Sequence, residues 1–558
     1  MKKNIFMAAI ITAGLLSNTI TYAQGFLRAS GTRIVNEKNE NVLLRGMGLG
    51  GWMLQEGYML RVNGPGQQHR IRERIQELTD PETTQAFYDA WLANHTRKQD
   101  IDSLKAWGFN SVRLPMHYNL YTLPVEKEPV AGQNTWLEKG FALTDSLLAW
   151  CKANDMYLIL DLHAAPGGQG NDLNISDRDT AQPSLWDSRA QQEKTIALWR
   201  KLADRYKDEP WIGAYDILNE PNWGFDDPVN DKNGTKEKTN APLKKLMQEI
   251  TAAIREVDKK HIIIIEGNGW GNNYNGILPP WDNNMVLSYH KYWNFNDEAS
   301  IRHILKARTE YNIPVWLGET GENSNVWFTA AIRLLESNNI GWSWWPLKKL
   351  GNNNPLQIPV NPQYQQIIDF WAGKGPKPSK EDAAKGVMQL AADTKTERNI
   401  FHRDVVDAMI RQPFQPAALP YQANIIAGNT TLAAVDYDLG PNGVAYYDKD
   451  SANYRVSDPK LQGGNRGRVY RNDGVDIRDE DGYIVSNFEG GEWLQYTLQV
   501  RQEGNYTISL QPGTDKAGIW LDGKKISGKT KLKKGRHILR VQVDEGEISL
   551  KSISFTKE

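Results

Sequence analysis

Two glutamates each close a short apolar run, Tyr215-Asp216-Ile217-Leu218-Asn219-Glu220-Pro221 and Val315-Trp316-Leu317-Gly318-Glu319. They stand 99 residues apart, so only folding can bring them together. Brought together, they suit the cleavage of an acetal near neutral pH, where one carboxylic acid protonates the leaving oxygen and one carboxylate attacks or activates water. A lone buried carboxylate is as well explained by a structural ion pair. A pair at strand ends, with Arg113 and Tyr292 available to hold one member ionised, points to chemistry instead. Other chemistries have less support. The nine histidines include no His-x-His and no helical pair with a Glu between, so no metal is expected. A Gly-x-Ser-x-Gly elbow is absent, and no cofactor is implied.

Positioning such a pair requires strands that end in one place. Apolar, β-branched runs recur at Val42–Met47, Ser111–Pro115, Tyr157–His163, Ala214–Asn219, Ile262–Glu266, Val286–His290, Val315–Glu319 and Ile340–Trp345. Amphipathic stretches lie between them, at Arg97–Trp107, Leu143–Asn154, Arg189–Tyr206, Pro242–Val257, Asp297–Glu310 and Val326–Asn338. Strand and helix alternating around eight strands predict an α/β chain folded as a (β/α)8 TIM barrel, whose chemistry gathers at the carboxy ends of the strands. Those ends carry Arg113, His117, His163, Asn219, Glu220, Glu266, His290, Tyr292, Glu319, Trp344 and Trp345.

The chain has 558 residues, enough for the barrel and a second unit. Residues 24–375 are expected to form the catalytic domain and 376–419 a helical connector and linker, with helix from Glu381 to about Ile410 and the linker at Arg411–Leu419. From 420 to 558, short alternating segments between Gly- and Asp-rich turns predict an all-β sandwich. Residues 1–23 read as a signal peptide, with Lys2 and Lys3, the apolar run Ile5–Leu16 and a small-residue site ending at Ala23. The expectation is a protein secreted or periplasmic after signal-peptide removal, without a membrane span. Sixty-six basic residues nearly cancel sixty-seven acidic ones, so nucleic acid is not an expected partner. A monomer is expected. Cys151, the only cysteine, can form no internal disulfide.

On Gly108-Phe109-Asn110-Ser111-Val112-Arg113-Leu114-Pro115, Leu160-Asp161-Leu162-His163, Leu218-Asn219-Glu220-Pro221, His290-Lys291-Tyr292, Leu317-Gly318-Glu319 and Gly341-Trp342-Ser343-Trp344-Trp345, the sequence resembles glycoside hydrolase family 5, the cellulase-like retaining enzymes, over about residues 28–375. The resemblance implies Glu220 as acid/base and Glu319 as nucleophile, with Glu322 a rival nucleophile on the loop beyond the strand. It implies that Asn219 bonds the sugar 2-hydroxyl, that Arg113 and Tyr292 keep Glu319 ionised, and that His163 and His290 line the subsite floored by Trp345. Leu44–Trp52 and His163–Gln169 look closest to the β-1,3-glucanase branch. Trp52, Trp186, Trp223, Trp270 and Trp293 could stack on sugars or serve packing.

From about Leu432 the chain resembles carbohydrate-binding module family 6, on Val435-Asp436-Tyr437-Asp438, Gly443–Asp448, Tyr470–Ile477 and Gly490–Thr497. Where that family places calcium-binding glutamates stand Ala433 and Val435, which offer no oxygen ligands. Tyr470 fits one wall of the sugar cleft; the loop bringing the other looks deleted around Ser527–Lys534, and Lys551 replaces the polar residue of the last strand. The reading is a retaining hydrolase of β-glucan, β-1,3 or β-1,4 linked. A mannan or xylan enzyme on the same barrel, or a non-catalytic polysaccharide binder, are its alternatives.

Overall fold

A computed structural model describes residues 25–449 and 468–558. The expected export signal lies outside the described residues. Eight parallel strands close into a barrel: β1 (Arg45–Gly48), β2 (Ser111–His117), β3 (Tyr157–Ala164), β4 (Ile212–Asp216), β5 (Ile262–Glu266), β6 (Met285–Lys291), β7 (Val315–Gly321) and β8 (Gly341–Trp345). Closure comes from β8 on β1, Trp342 opposite Arg45 and Trp344 opposite Met47. Strands covered on both faces read as continuous apolar runs, and Ile262 to Ile265 are all buried. Each such side chain contributes about 1.5–3 kcal/mol by leaving water.

The covering helices form where the amphipathic stretches predict: α1 (Lys98–Trp107), α2 (Glu138–Ala153), α3 (Arg189–Tyr206), α4 (Ala241–Val257), α5 (Glu298–Tyr311) and α6 (Asn325–Ser337). Short polar side chains start several of them. Asp297 accepts from the Ser300 amide at 2.8 Å and Ser324 from that of Trp327 at 3.3 Å. Gly108, with φ of 106°, ends α1 in a left-handed turn and releases the chain into β2.

Several boundaries differ from the sequence reading. The first strand is Arg45–Gly48 rather than Val42–Met47, because Gly46 and Gly48 must pass close to β8. β4 leaves the ladder after Asp216, although Ile217 and Asn219 still donate backbone bonds, to Ile264 and Leu162. The helical stretch after Glu381 is two helices, Lys380–Asp393 and Arg403–Ile410, broken where Ile400–Phe401 pairs with Leu356–Gln357. The Lys380–Asp393 helix and the preceding Pro362–Trp371 share a second apolar core with two helices before α1, through Ile71, Phe87, Trp91, Tyr364, Val387 and Leu390.

The described residues between 424 and 557 are mostly strands, as expected for an all-β region. Trp493–Val500 and Gly535–Val543 run at the centre of one sheet; Gly504–Gln511 and Ser552–Lys557 form the middle of a second. Tyr483–Glu489 centres a three-stranded third. Alternate residues of these strands, such as Leu494, Tyr496, Leu539 and Val541, fill one shared core. The segment Arg411–Leu419 is tied down: Arg333 donates to the Gln412 and Pro413 carbonyls, and Leu419 pairs with Leu439. Among the described residues no helix is long and apolar enough to cross a membrane.

One buried ion pair fastens the post-barrel helices to the barrel. The Lys348 ammonium, wholly buried, lies 2.7 Å from Asp100 on α1 and donates to the His95 and Thr394 carbonyls at 2.7 and 2.9 Å. Lys348→Met removes the cation from this buried pair, leaves Asp100 only the Arg97 amide and the Thr396 hydroxyl, and is expected to cost about 3–5 kcal/mol. Removing Arg70 from its exposed pair with Glu73 is expected to leave stability nearly unchanged, because water screens the pair. Urea midpoints measure both; equal shifts would refute the fastening role.

Candidate active site

The barrel's carboxy end holds a cluster of charge around one guanidinium. Arg113 on β2 has no exposed surface. Its Nε and Nη2 donate to Asp216 of β4 at 3.0 and 2.9 Å, and Nη2 also to Asn219 at 2.8 Å and Glu266 of β5 at 3.2 Å. Its Nη1 donates to Glu319 of β7 and lies 3.2 Å from Asp161 of β3. Arg113 cannot neutralise four carboxylates. Burial, first, pushes the Asp161 and Asp216 carboxyls well above their usual range, and neighbouring carboxylates add to it. Burial also opposes charge on Glu266, but His290 and Arg113 outweigh it and hold that carboxyl below its usual range.

His290 on β6 links the two glutamates. Its Nδ1 is 2.5 Å from Glu220 Oε1 and 3.7 Å from Glu319 Oε2, and its Nε2 is 3.2 Å from Glu266. Burial pulls the imidazole down, but Glu266, Glu319 and Glu220 drive it well above its ordinary value. Glu220 itself is raised to about 7, mainly by burial, with His290 opposing and Glu319 assisting. Its backbone takes a φ of 42°, uncommon for a residue with a Cβ, and its amide donates to Glu266 at 2.7 Å. One oxygen of Glu220 and one of Glu319 lie within 4.8 Å of each other. Tyr292 donates to the second oxygen of Glu319 at 2.9 Å.

All eight sequence-selected residues meet here. Glu220, Glu319, His163, His290, Tyr292 and Trp345 line a cleft of about 1150 Å³, while Arg113 and Asn219 lie buried behind it. The Trp345 ring stacks on His163 at 5.1 Å between centroids, and Asn219 Nδ2 is 3.3 Å from His163 Nε2. Burial pushes His163 down to about 3, so its ring is neutral. His117 is turned away, 2.9 Å from Asp177. Glu322 points into the cleft but is paired with Lys349 at 2.7 Å. Of the tryptophans, Trp270 and Trp293 line the cleft, whereas Trp52 is core, its indole donating to the Leu92 carbonyl at 2.8 Å. Trp186 packs on Phe225 and Trp223 lies under Arg178. Asp161, His163 and Glu319 are close enough to share a cation, but the Arg113 guanidinium already bonds to both of those carboxylates.

A family model described as cellulase (glycosyl hydrolase family 5) matches residues 72–351, half of the chain. The chain belongs to glycosyl hydrolase family 5. It is a glycosyl hydrolase of this family by sequence, and the cleft just described stands on the matched barrel. A β-xylosidase from Phanerodontia chrysosporium is 27% identical over 387 residues, 62% of this chain and 76% of that protein. Endoglucanase C from Acetivibrio thermocellus is 29% identical over 41% of this chain and 59% of its own length. A glucan 1,3-beta-glucosidase from Candida oleophila is 25% identical over 48% of this chain and 62% of its own length. The match thus leaves more than a third of the last two proteins unspanned.

Sequence reasoning missed a second wall. Glu56, only 6% exposed, and Tyr58 face the cleft from the segment after β1, and Tyr58 accepts from the Trp345 indole at 2.9 Å. Burial, then the charges of Glu319, Glu322 and Glu220, push the Glu56 carboxyl well above its usual range. Its signal was weak: a carboxylate four residues beyond Trp52 in a segment without periodicity. Asp161 and Asp216 stand within the sequence motifs, but nothing in those motifs marks them as parts of the charge cluster.

Gly48 and Gly50 make room for Trp345. A Cβ on Gly48 would sit 2.7 Å from its ring. Gly48→Ala is expected to destabilise the fold by about 1–3 kcal/mol and to lower turnover by displacing that ring. Denaturant midpoint and kcat are the readouts; an unchanged value of both would show that the ring is not held by this contact.

Proposed function

We propose that the protein is a retaining β-glycoside hydrolase acting on β-glucan, β-1,3 or β-1,4 linked. The observation that carries this reading is the approach of Glu220 and Glu319 within 4.8 Å, with Glu220 raised to about 7. Retaining glycosidases have carboxyl groups about 5–5.5 Å apart, whereas inverting ones leave room for a water at about 6.5–9.5 Å. Glu319, bonded by Arg113 and Tyr292, attacks the anomeric carbon as the glycosidic bond breaks. Glu220 gives its proton to the departing oxygen, so the leaving group departs neutral and the sugar is esterified to Glu319. In the second step Glu220, now a carboxylate, takes a proton from water, and that water attacks the same carbon and releases Glu319.

The neighbours have matching tasks. Asn219, oriented by Arg113, is placed to bond the sugar 2-hydroxyl, and Trp345 offers an apolar ring face as the floor. His290, charged between the two carboxylates, tempers the rise of Glu220 that burial causes. Export by the expected N-terminal signal, and a role outside the cytoplasm, belong to the same proposal. A β-xyloside or xylan substrate is the second reading, favoured by the relative named as a β-xylosidase. A panel of polysaccharides and aryl glycosides, with products resolved by length, separates the two.

The roles make distinct predictions. Glu319→Ala is expected to abolish turnover on every substrate. Glu220→Ala is expected to lose about 10²–10⁴-fold on natural linkages. It should still form the glycosyl-enzyme from aryl glycosides whose leaving groups need no proton. An active Glu319→Ala beside an inactive Glu322→Ala would reverse the nucleophile assignment. The pH profile follows from the direction of the shift: a raised carboxyl stays protonated up to its pKa, so kcat/KM should hold below about pH 7 and fall above it. A rate that keeps rising from pH 7 to 9 would contradict Glu220 as the acid. Proton NMR of the first product is expected to show the substrate's anomeric configuration.

A further inference from the structure

The loop that leaves the catalytic strand β7 is held from the far part of the chain. Gly321 follows Glu319 with φ of 141°, where a Cβ would meet the Trp345 carbonyl at 2.4 Å, and Glu322 follows with φ of 52°. Asn323 and Asn325 then run, both buried, into α6. Their partner is Asn472, which is 1% exposed and belongs to the C-terminal strand-rich region. Its side-chain Nδ2 donates to the Asn323 carbonyl at 2.9 Å and to Asn325 Oδ1 at 3.1 Å, and its carbonyl accepts from the Asn325 amide at 2.8 Å. Its own amide donates to Asp404 at 2.8 Å, the carboxylate that also receives Asn325 Nδ2 at 2.7 Å.

The contact continues to the catalytic carboxylate. Asn323 Nδ2 donates to the Tyr292 carbonyl at 3.2 Å, and Tyr292 donates its hydroxyl to Glu319 at 2.9 Å. The far end is anchored as firmly. Arg471, buried beside Asn472, lies over the rings of Tyr421 and Tyr437 at 4.4 and 4.1 Å and donates to the Tyr437 carbonyl at 2.8 Å. Tyr470, which the resemblance would make a sugar-cleft wall, gives its hydroxyl to Asp436 and packs edge-on to Tyr421. The loop that begins at Tyr470 is therefore used to dock on the barrel.

We propose that Asn472 is a positioning residue of the catalytic centre: it fixes the loop after β7 so that Tyr292 meets Glu319 and the Glu322–Lys349 pair walls the cleft. The C-terminal region is then a working part of the barrel's active site and not an appendage on a tether. This rests on the reading of Glu319 as the nucleophile. A small misplacement of a group bonded to the nucleophile lowers the rate of the chemical step more than the affinity for substrate.

The test uses the full-length enzyme and a soluble aryl glycoside. Asn472→Ala is expected to lower kcat about tenfold with KM little changed. In a Tyr292→Phe background the same substitution should cost far less, because both act on one contact. Arg536→Ala, an exposed change on the same region, is expected to leave kcat unaltered. If Asn472→Ala is recovered unfolded, Asn323→Ala removes the donor to Tyr292 while keeping the carbonyl that Asn472 binds, and the same kcat loss and non-additivity are expected. Wild-type kcat with only a lower melting temperature, or losses that add fully to those of Tyr292→Phe, would overturn the proposal. Glu319→Ala in the same assay keeps the two readings apart. If it turns over, the nucleophile assignment fails; if it is inactive while Asn472→Ala keeps wild-type kcat, only the positioning role fails.

Discussion

The placement of Arg113 at the barrel's centre is the constraint on which the site depends. A guanidinium without exposed surface is costly to bury unless its donors are met, and here they are met by groups from β3, β4, β5 and β7. The same five strand ends that must converge to satisfy that charge bring Asp161, Asp216, Glu266 and Glu319 within reach of one another. Fold and chemistry are therefore solved together. Without the guanidinium, the carboxylates would repel and the strand ends would lose their common partner.

The two glutamates that face the cleft are made different by their neighbours. Glu319 receives a guanidinium and a phenol on its two oxygens. Glu220 receives the His290 imidazole, which is shared with Glu266 and Glu319, and burial raises its carboxyl to about 7, so it keeps a proton to give near neutral pH. Its left-handed backbone sets that carboxyl off the end of β4, where a straight continuation of the strand would not place it. Perturbed groups of this kind concentrate where acid and base tasks must be divided.

Much of this was legible in the sequence because buried parallel strands leave a strong record. Runs such as Ile262–Glu266 and Val315–Glu319 are apolar throughout and then change abruptly to polar groups, which marks both the strand and its functional end. The sequence pattern was less informative where neighbours far along the chain decide the outcome. Gly48 falls just past the predicted first strand with nothing to show its task until the Trp345 ring is seen against it, and Trp52 could stack on sugar or pack until its indole is found bonded to the Leu92 carbonyl. Glu56 lies in a segment with no period to point inward. The break between the last two helices follows from strand pairing of Ile400–Phe401, which helix propensity cannot anticipate. Asn472 carries no chemical signature of its own, and its use comes only from what it touches.

The central claim is that Glu319 forms a covalent bond to the sugar. Its most direct test is trapping with a 2-deoxy-2-fluoro glycoside bearing a good leaving group, whose fluorine slows both steps while the leaving group keeps the first one accessible. Peptide mass mapping of the inactivated enzyme is then expected to find the fluoroglycosyl group on the peptide containing Glu319, with fragmentation locating it on that carboxylate. A label on Glu322 or Glu56, or a product of inverted configuration with no adduct, would contradict the account.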